Sequence, residues 1–361
     1  MANISKPSAE RVLIYRLGSL GDAIVALPSL RVVAQAFPLA QRWMLTNLSD
    51  SAKTVPMAQV LENTGLIQGY IHYPPKLRDP ITIAALSKRI RHIRPEIIIY
   101  LAEPRGRLRV LRDAMFFRMC GIKKFIGVPY IEKMQRPASM GNGNYEYEGA
   151  RLVRCLQSLG SISLSDPSAF DLCLRLFEHA AAKVALNDLG ISKPFIVASI
   201  GAKVDVKDWG DDNWASLISK LGRDLSDWGL VMIGSADERK RTSRLLRNWP
   251  GQSLNLCNHM NVREAAAVLS RARAYLGHDS GPMHLAAAVG TPCIAIFSSR
   301  NLPGEWFPPG DRHQILYRKV HCMGCRRSVC KDHNKMCIRS ISVDEVFGHV
   351  MRTLEISLSP V

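Results

Sequence analysis

The sequence predicts an α/β protein of two domains, each a parallel sheet with helices on both faces. The chain has 361 residues, which is room for two domains of ordinary size. Hydrophobic residues make up 47% and charged residues 22%, as in compact proteins, so disorder, collagen and coiled coil are excluded. Short apolar runs alternate with helix-length amphipathic segments, and this alternation predicts parallel sheets.

The first half of the chain carries three pairs of a strand and a following helix. The predicted pairs are 11–16 with 22–37, 42–47 with 54–62, and 96–101 with 107–120. A stretch rich in Ser, Pro and Asp at 161–172 is typical of a linker. We therefore expect a first domain over residues 1–170.

The same alternation restarts after the linker. The predicted strands are 195–201, 229–234, 274–277 and 292–297, and the predicted helices are 211–225, 237–247 and 282–289. These elements predict a second domain over 171–342. An amphipathic segment at 343–354 predicts a last helix within a C-terminal segment, 343–361.

Several classes of protein are disfavoured. No run reaches the roughly 18 apolar residues of a membrane-spanning helix, and the first residues lack the pattern of a secretion signal. The odd count of nine cysteines favours a reducing compartment, so we expect a cytoplasmic protein. Neither GxxxxGK[ST] nor GxGxxG follows a strand, which argues against kinase-like and dehydrogenase-like proteins.

A glycine-containing loop follows the first predicted strand. Gly18 and Gly21 flank Ser19 and allow a tight turn and close approach of a ligand, and Asp22 opens the next helix. Ligand sites in open α/β sheets lie at the carboxyl ends of strands, so the Asp22 carboxylate is expected to point into a crevice. The alternative is that Asp22 serves only the helix start.

A second loop, at 277–292, has the composition of an anion site. Asp279 and Ser280 precede Gly281, where a helix begins with unpaired N–H donors that suit a diphosphate. His284 lies in the first turn and can donate to a phosphate. The alternative for His284 is a packed side chain.

A third loop carries two lysines. Lys203 and Lys207 follow the first strand of the second domain and are expected at the same sheet edge as Asp279. A cation there can neutralise a departing phosphate. The alternative is a pair of solvated surface lysines.

These loops together resemble glycosyltransferase family 9, the ADP-heptose lipopolysaccharide heptosyltransferases. The resemblance rests on RVLIYRLGSLGDAIVALPSLR, KDWGDDNWASLISKL, IGSADERKR and, most specifically, HDSGPMHLAAAVGTPCIAIF, in that order. It implies a GT-B architecture of two Rossmann-like domains facing across a cleft. The N-terminal domain then binds the acceptor, and the C-terminal domain binds the nucleotide sugar.

The resemblance also implies roles for single residues. The catalytic Asp of the family falls on Asp22 and its phosphate-binding Lys on Lys207. The nucleotide loop falls on Asp279, Ser280, Gly281 and His284, and further nucleotide contacts fall on Glu238 and Met260. The chain departs from the family pattern at Ala202 and Lys203, where Thr or Ser is usual, and at Trp209 and Gly210, where Trp-Pro is usual.

The function this implies is inverting transfer of a heptose from ADP-heptose to a hydroxyl of the lipopolysaccharide inner core. Asp22 would act as the base, and Lys207 with the N–H groups at Gly281 would hold the diphosphate, with no catalytic metal. One alternative keeps the family but changes the sugar or uses a protein or another glycan as acceptor. Others are a non-catalytic nucleotide-binding module at the membrane surface and a sugar-nucleotide epimerase.

The charge distribution suggests the acceptor. Lys and Arg exceed Asp and Glu by 17, and the stretch 76–124 holds 13 basic and four acidic residues, which is +9. We expect a phosphorylated, acidic glycolipid as partner and peripheral contact with the inner face of the cytoplasmic membrane. A solvated basic face is the alternative. Interleaved surface aromatic residues and nucleic-acid motifs are missing from the stretch, so nucleic acid is not expected.

A cysteine cluster near the end fits none of these roles. Four thiolates within sixteen residues can hold one tetrahedral zinc or iron as a structural staple, with His321 and His333 close by. The four cysteines are Cys322, Cys325, Cys330 and Cys337. Free thiols and disulfides remain open as alternatives. Similar clusters occur in part of the family, which favours a structural role over a catalytic one.

Overall fold

The computed structural model describes residues 9–47, 55–74, 79–187 and 193–358. It divides into two compact units, Met1–Leu172 and Cys173–Val361, called here the N-terminal and C-terminal units. Each unit is a parallel sheet covered by helices, so the predicted α/β class is confirmed. Among the described residues, no helix is both long enough and apolar enough to span a bilayer.

The N-terminal unit is built on a parallel sheet of order β3-β2-β1-β4-β5 among its described residues. The strands are β1 (Arg11–Tyr15), β2 (Gln41–Asn47), β3 (Gly69–Tyr73), β4 (Ile97–Tyr100) and β5 (Lys124–Ile126). The strand β4, which lies between β1 and β5, is buried throughout. Its run of isoleucines suits a strand covered on both faces.

Helices cover both faces of this sheet. They are α1 (Leu20–Ala36), α2 (Met57–Leu61), α3 (Pro80–Ile93), α4 (Arg107–Met119), α5 (Glu132–Gln135) and α6 (Glu148–Cys155). The buried residues of α3 and α4 share one apolar cluster with Tyr15 and Tyr100, so these two helices cover the same face. The connections through α3 and α4 run toward β5, whereas the connection from β1 through α1 to β2 runs toward β3. Because parallel crossovers are right-handed, α1 covers the opposite face.

The C-terminal unit has a parallel sheet of order β11-β10-β9-β6-β7-β8 within its described part. The strands are β6 (Phe195–Ser199), β7 (Gly229–Met232), β8 (Ser253–Asn255), β9 (Ala274–His278), β10 (Cys293–Ile296) and β11 (Gln314–Leu316). The helices are α7 (Leu176–Asn187), α8 (Asp211–Asp224), α9 (Arg239–Leu246), α10 (Val262–Leu269), α11 (Gly281–Ala288), α12 (Met336–Arg339) and α13 (Val343–Leu358). The last helix, α13, packs on α8.

The predicted elements differ from the observed ones mainly at their ends, but the helices α3, α6, α7 and α10 were not predicted. The helix predicted at 237–247 is a 3-10 turn, Ala236–Glu238, followed by α9. The first residue of the helix predicted at 54–62 lies outside the described residues. The predicted linker contains a 3-10 turn, Pro167–Phe170, whose start is capped by Asp166. The short edge strands β3, β5, β8 and β11 were not predicted, because each carries too few apolar residues to form an apolar run.

Candidate active site

The loop from β1 to α1 is shaped around Asp22. Gly18 has a φ of +122°, and a Cβ at this position would collide with the Asp22 carboxyl group, so the turn requires glycine. Asp22 Oδ2 accepts a hydrogen bond from the Ser19 backbone N–H at 2.8 Å, which caps the start of α1. Asn47, at the end of β2, accepts from the Gly18 N–H at 2.9 Å. Asp22 thus caps the start of α1, and 16% of its side-chain surface remains exposed.

A fully buried arginine lies beneath this loop. Arg16 Nη1 donates to the Leu101 carbonyl at 2.8 Å, and its Nη2 lies 3.5 Å from Asp22 Oδ1. The same guanidinium lies 3.8 Å from Glu148, which is itself paired with Arg151 at 2.6 Å. A buried charge must be paired, so this network fixes the guanidinium next to Asp22. The sequence marks Arg16 only as the last residue of the first predicted strand.

A second carboxyl group, Glu103, lies next to Asp22. It follows β4, the neighbour of β1, at the carboxyl edge of the sheet, and part of its surface is exposed. Loss of hydration, together with the charge of Asp22 and a hydrogen bond to it, raises the pKa of Glu103 to about 7, although Arg16 opposes the shift. A carboxyl group that titrates near neutral pH beside a second carboxyl group is suited to acid–base chemistry. The sequence had marked Glu103 only as one acid within a basic stretch.

In the C-terminal unit, Lys207 and Asp279 come together. Lys207 Nζ lies 2.6 Å from Asp279 Oδ2 and donates to the Asp279 backbone oxygen at 2.9 Å. Asp279 is buried, and the Asn301 amide nitrogen lies 3.5 Å from its Oδ2. The ammonium group is therefore held at the end of β9, where α11 begins. Lys203, on the same loop, is exposed.

The buried side chain of His278 positions the lysine loop. Its Nε2 accepts from the Trp209 backbone N–H at 3.1 Å, and its Nδ1 lies 3.2 Å from the Gly201 carbonyl. Burial lowers the pKa of His278 to about 4, so the ring is neutral and Nδ1 carries the proton that it donates to Gly201. Asp208 adds a 3.0 Å ion pair to Arg241. These contacts join residues that are distant in the sequence, so local sequence patterns could not predict them.

The start of α11 carries the predicted anion loop. Ser280 has an extended backbone and precedes the first helical residue, Gly281, so the N–H groups of the first turn lie at the strand edge beside Lys207. His284 is buried, and its ring lies 5.9 Å from that of Trp306. This packing agrees with the alternative that the sequence left open for His284.

Glu238 and Met260 lie on loops that follow other strands of the same sheet. Glu238 accepts from the Ser235 N–H at 2.9 Å. A Cβ at Gly201 or Gly234 would collide with the Glu238 carboxylate, so both glycines leave room for it. Met260 is half-buried, directly before the cap of α10.

The cysteine cluster forms a small cavity. Cys322, Cys325, Cys330 and Cys337 all line one space of about 70 Å³, together with His333. The ligand atoms of His321, Cys322 and His333 lie within 4.8 Å of one another. All nine cysteines of the chain are free thiols, so the disulfides that the sequence left open are not formed.

The cavity wall is connected to the lysine loop. Lys335 Nζ lies 3.0 Å from Asp205 Oδ1, two residues before Lys207. The Val206 N–H donates to the Ser328 carbonyl at 3.2 Å. The cysteine-rich segment therefore supports the short 3-10 turn Asp205–Lys207.

Comparison with known proteins identifies the C-terminal part of the chain. Residues 162–336 match the family model for glycosyltransferase family 9 (heptosyltransferase). This stretch is a glycosyltransferase family 9 domain. Lipopolysaccharide heptosyltransferase 1 of Pseudomonas aeruginosa is 24% identical over 333 residues, which cover 89% of this chain and 87% of that protein. The predicted family is thereby confirmed for residues 162–336.

Solved structures of the family share the fold. A glycosyl transferase family 9 protein from Veillonella parvula has a TM-score of 0.74 at 18% identity, covering 96% of this chain and 98% of that one. The ADP-heptose heptosyltransferase II of E. coli has a TM-score of 0.66 at 15% identity, with 97% and 100% covered. The iron-containing dodecameric glycosyltransferase TibC from enterotoxigenic E. coli has a TM-score of 0.52 at 16% identity, with 98% and 78% covered. These similarities confirm the GT-B class.

Proposed function

We propose that the protein transfers a heptose from ADP-heptose to a hydroxyl of the lipopolysaccharide inner core, with inversion at the anomeric carbon. The observation that carries this proposal is the pairing of Lys207 with Asp279 at the start of α11, inside a family 9 domain. An ammonium group beside helix N–H donors is a seat for a diphosphate. The relatives named above, two of them with heptose in their names, support the sugar.

In the proposed reaction, the N-terminal unit binds the acceptor and the C-terminal unit binds the donor. The Asp22 carboxylate takes the proton of the acceptor hydroxyl, whose oxygen attacks the anomeric carbon. The bond from that carbon to the diphosphate breaks, and its electron pair leaves with ADP. Lys207 and the N–H groups at Gly281 stabilise the charge on the leaving diphosphate. Because these groups supply the positive charge, we propose that the reaction needs no catalytic metal.

Further donor contacts are proposed from the same sheet edge. In this proposal, Glu238 accepts hydrogen bonds from the hydroxyl groups of the nucleoside, and Met260 contacts its base. Ser280 and Lys203 contribute at the diphosphate, and Gly18, Ser19 and Gly21 shape the acceptor side. The acceptor is proposed to be a phosphorylated, acidic glycolipid reached from the cytoplasmic face of the membrane.

The cysteine cluster is proposed to hold one structural zinc or iron. The donor set fits such an ion, since four thiols and the imidazole of His333 line a common cavity of about 70 Å³, and the ligand atoms of His321, Cys322 and His333 lie within 4.8 Å of one another. A bound ion would fix a segment that has few apolar residues of its own. No step of the transfer passes through it.

The experiment is a transfer assay with purified protein, ADP-heptose and a core glycolipid that lacks heptose. Release of ADP together with a gain of one heptose mass on the lipid supports the proposal. Parallel reactions contain UDP- and GDP-sugars, or a protein acceptor in place of the lipid. Transfer in those reactions alone would assign the chain to another donor or acceptor, and no transfer in any of them would favour a non-catalytic nucleotide-binding protein.

A further inference from the structure

Helix α4 is apolar on two opposite faces. Its inner face places Val110 and Phe117 in the core against the sheet. At 100° per residue, a second set of apolar side chains falls within an arc of about 80° on the other side. This outer stripe consists of Leu108, Leu111, Met115 and Met119, which are 84%, 50%, 67% and 71% exposed. A helix that is apolar on both sides is normally covered on both sides.

Arginines border the outer stripe. Arg107, Arg112 and Arg118 flank it, Arg109 lies further round the helix, and all four are exposed on α4. The helix has one acid, Asp113, which points inward and is paired with Arg105 at 3.0 Å and with Arg112 at 2.7 Å. The exposed surface of α4 therefore presents apolar and cationic groups without an acid between them.

Helix α3 extends the same basic surface. It covers the same face of the sheet as α4, and Arg91 Nη2 donates to the Met119 carbonyl at 2.8 Å, which joins α3 to the end of α4. Lys88 and Arg89 are exposed on α3. Seven of the 13 basic residues of the stretch 76–124 thus lie on α3 and α4, and Lys76 and Arg78 are outside the described residues.

We propose that this α3–α4 face docks on the surface of an anionic lipid bilayer. The stripe on α4 would insert among the acyl chains near the headgroups, and the arginines would contact lipid phosphates. Long basic side chains beside an apolar stripe suit such an interface, since their stems bury while their charged ends stay at the headgroups. A second copy of the chain fits less well, because a twofold contact would bring two arginine clusters together. The proposal does not depend on the identity of the sugar or of the acceptor.

Co-sedimentation of the full chain with vesicles tests the proposal. We expect binding to vesicles of phosphatidylcholine in which about one lipid in three is the anionic phosphatidylglycerol. Salt should weaken this binding, and vesicles of pure phosphatidylcholine should bind little protein. Arg107→Gln with Arg109→Gln should weaken binding by roughly fivefold per arginine. Leu108→Gln with Met115→Gln should weaken it by about tenfold or more.

The matched control is Leu176→Gln with Phe177→Gln. These residues are 89% and 61% exposed on α7 of the C-terminal unit, so the control makes a similar chemical change elsewhere. It should bind vesicles as the unchanged protein does, and circular dichroism should show all variants folded. The proposal is overturned if the unchanged protein ignores anionic vesicles, or if the α4 variants bind as tightly as the control. It is also overturned if sedimentation equilibrium shows an oligomer that only the α4 variants dissociate.

Discussion

Lys207 and Asp279 form a 2.6 Å ion pair at the point where β9 ends and α11 begins. The Asp279 carboxylate is buried, whereas the Lys207 side chain is 15% exposed, so the ammonium group keeps a face toward solvent. A diphosphate that binds there gains both the cation and the N–H groups of the helix start.

Lys207→Gln is therefore expected to weaken ADP binding by about tenfold or more, because a charge-assisted contact to phosphate is lost. Isothermal titration with ADP measures the change. Lys183→Gln is the matched control, since Lys183 is an exposed lysine on α7 with no proposed contact to the nucleotide, and ADP affinity should be unchanged in that variant. Equal losses in the two variants would mean that Lys207 has no special role.

The rate should depend on the protonation of Glu103. Its pKa is about 7, so at lower pH it carries a proton and donates a hydrogen bond to Asp22, which occupies an oxygen of the proposed base. We expect kcat/KM to rise through about pH 7, and Glu103→Gln to remove that inflection. A profile that keeps the inflection in the variant would assign it to another group.

The same shift affects stability. The pKa of Glu103 is raised from 4.5, so between pH 4.5 and about 7 the folded chain binds more protons at this site than the unfolded chain. This contribution to the free energy of unfolding is present at low pH and falls as the pH rises through that window. Denaturant titrations of Glu103→Gln and the unchanged protein should therefore differ in their slope against pH within it.

His278 should make stability depend on pH in the opposite direction. Its folded pKa is about 4 and its ordinary value 6.5, so the unfolded chain binds the extra proton between these values. The stability that neutral His278 gives is complete above pH 6.5 and is lost as the pH falls toward 4. His278→Ala should remove this dependence and, by leaving the Trp209 N–H without its acceptor, lower the free energy of unfolding by about 1–3 kcal/mol. Urea titrations from pH 4 to 7 measure both effects.

Removal of the proposed metal should disturb the loop that carries Lys207 and weaken ADP binding. Cys322→Ser with His333→Ala is expected to reduce bound zinc or iron, measured by mass spectrometry, from about one ion per chain to none. Because Lys335 and Ser328 contact Asp205 and Val206, ADP affinity should fall severalfold in the same variant. Cys173→Ser, outside the cluster, is the control for thiol loss. Full metal content in the double variant would contradict the proposed donor set.

Much of the fold could be predicted from local sequence. The apolar runs of β1, β4 and β6 and the glycines at 18 and 281 mark strand ends and helix starts within a few residues of where they lie. The loop carrying Lys207 and the loop carrying Asp279 were also expected at one sheet edge, and the structure brings both residues into contact.

The supporting residues could not be predicted in this way. Arg16 contacts Leu101 across 85 positions, and His278 contacts Trp209 across 69. Their roles come from strand order, which places β1 beside β4 and β9 beside β6, and a single sequence does not fix that order. The pKa of Glu103 is raised by the loss of hydration and the neighbouring charge that this strand order creates.

The most direct test of the account is the Asp22→Asn variant in the heptose-transfer assay. Asparagine keeps the size of the side chain and an oxygen to cap α1, but it cannot accept a proton. If Asp22 is the base, kcat should fall by on the order of 100-fold or more, while ADP affinity should stay within about twofold of the unchanged protein. A variant that transfers heptose at the unchanged rate would contradict the assignment of Asp22 as the base.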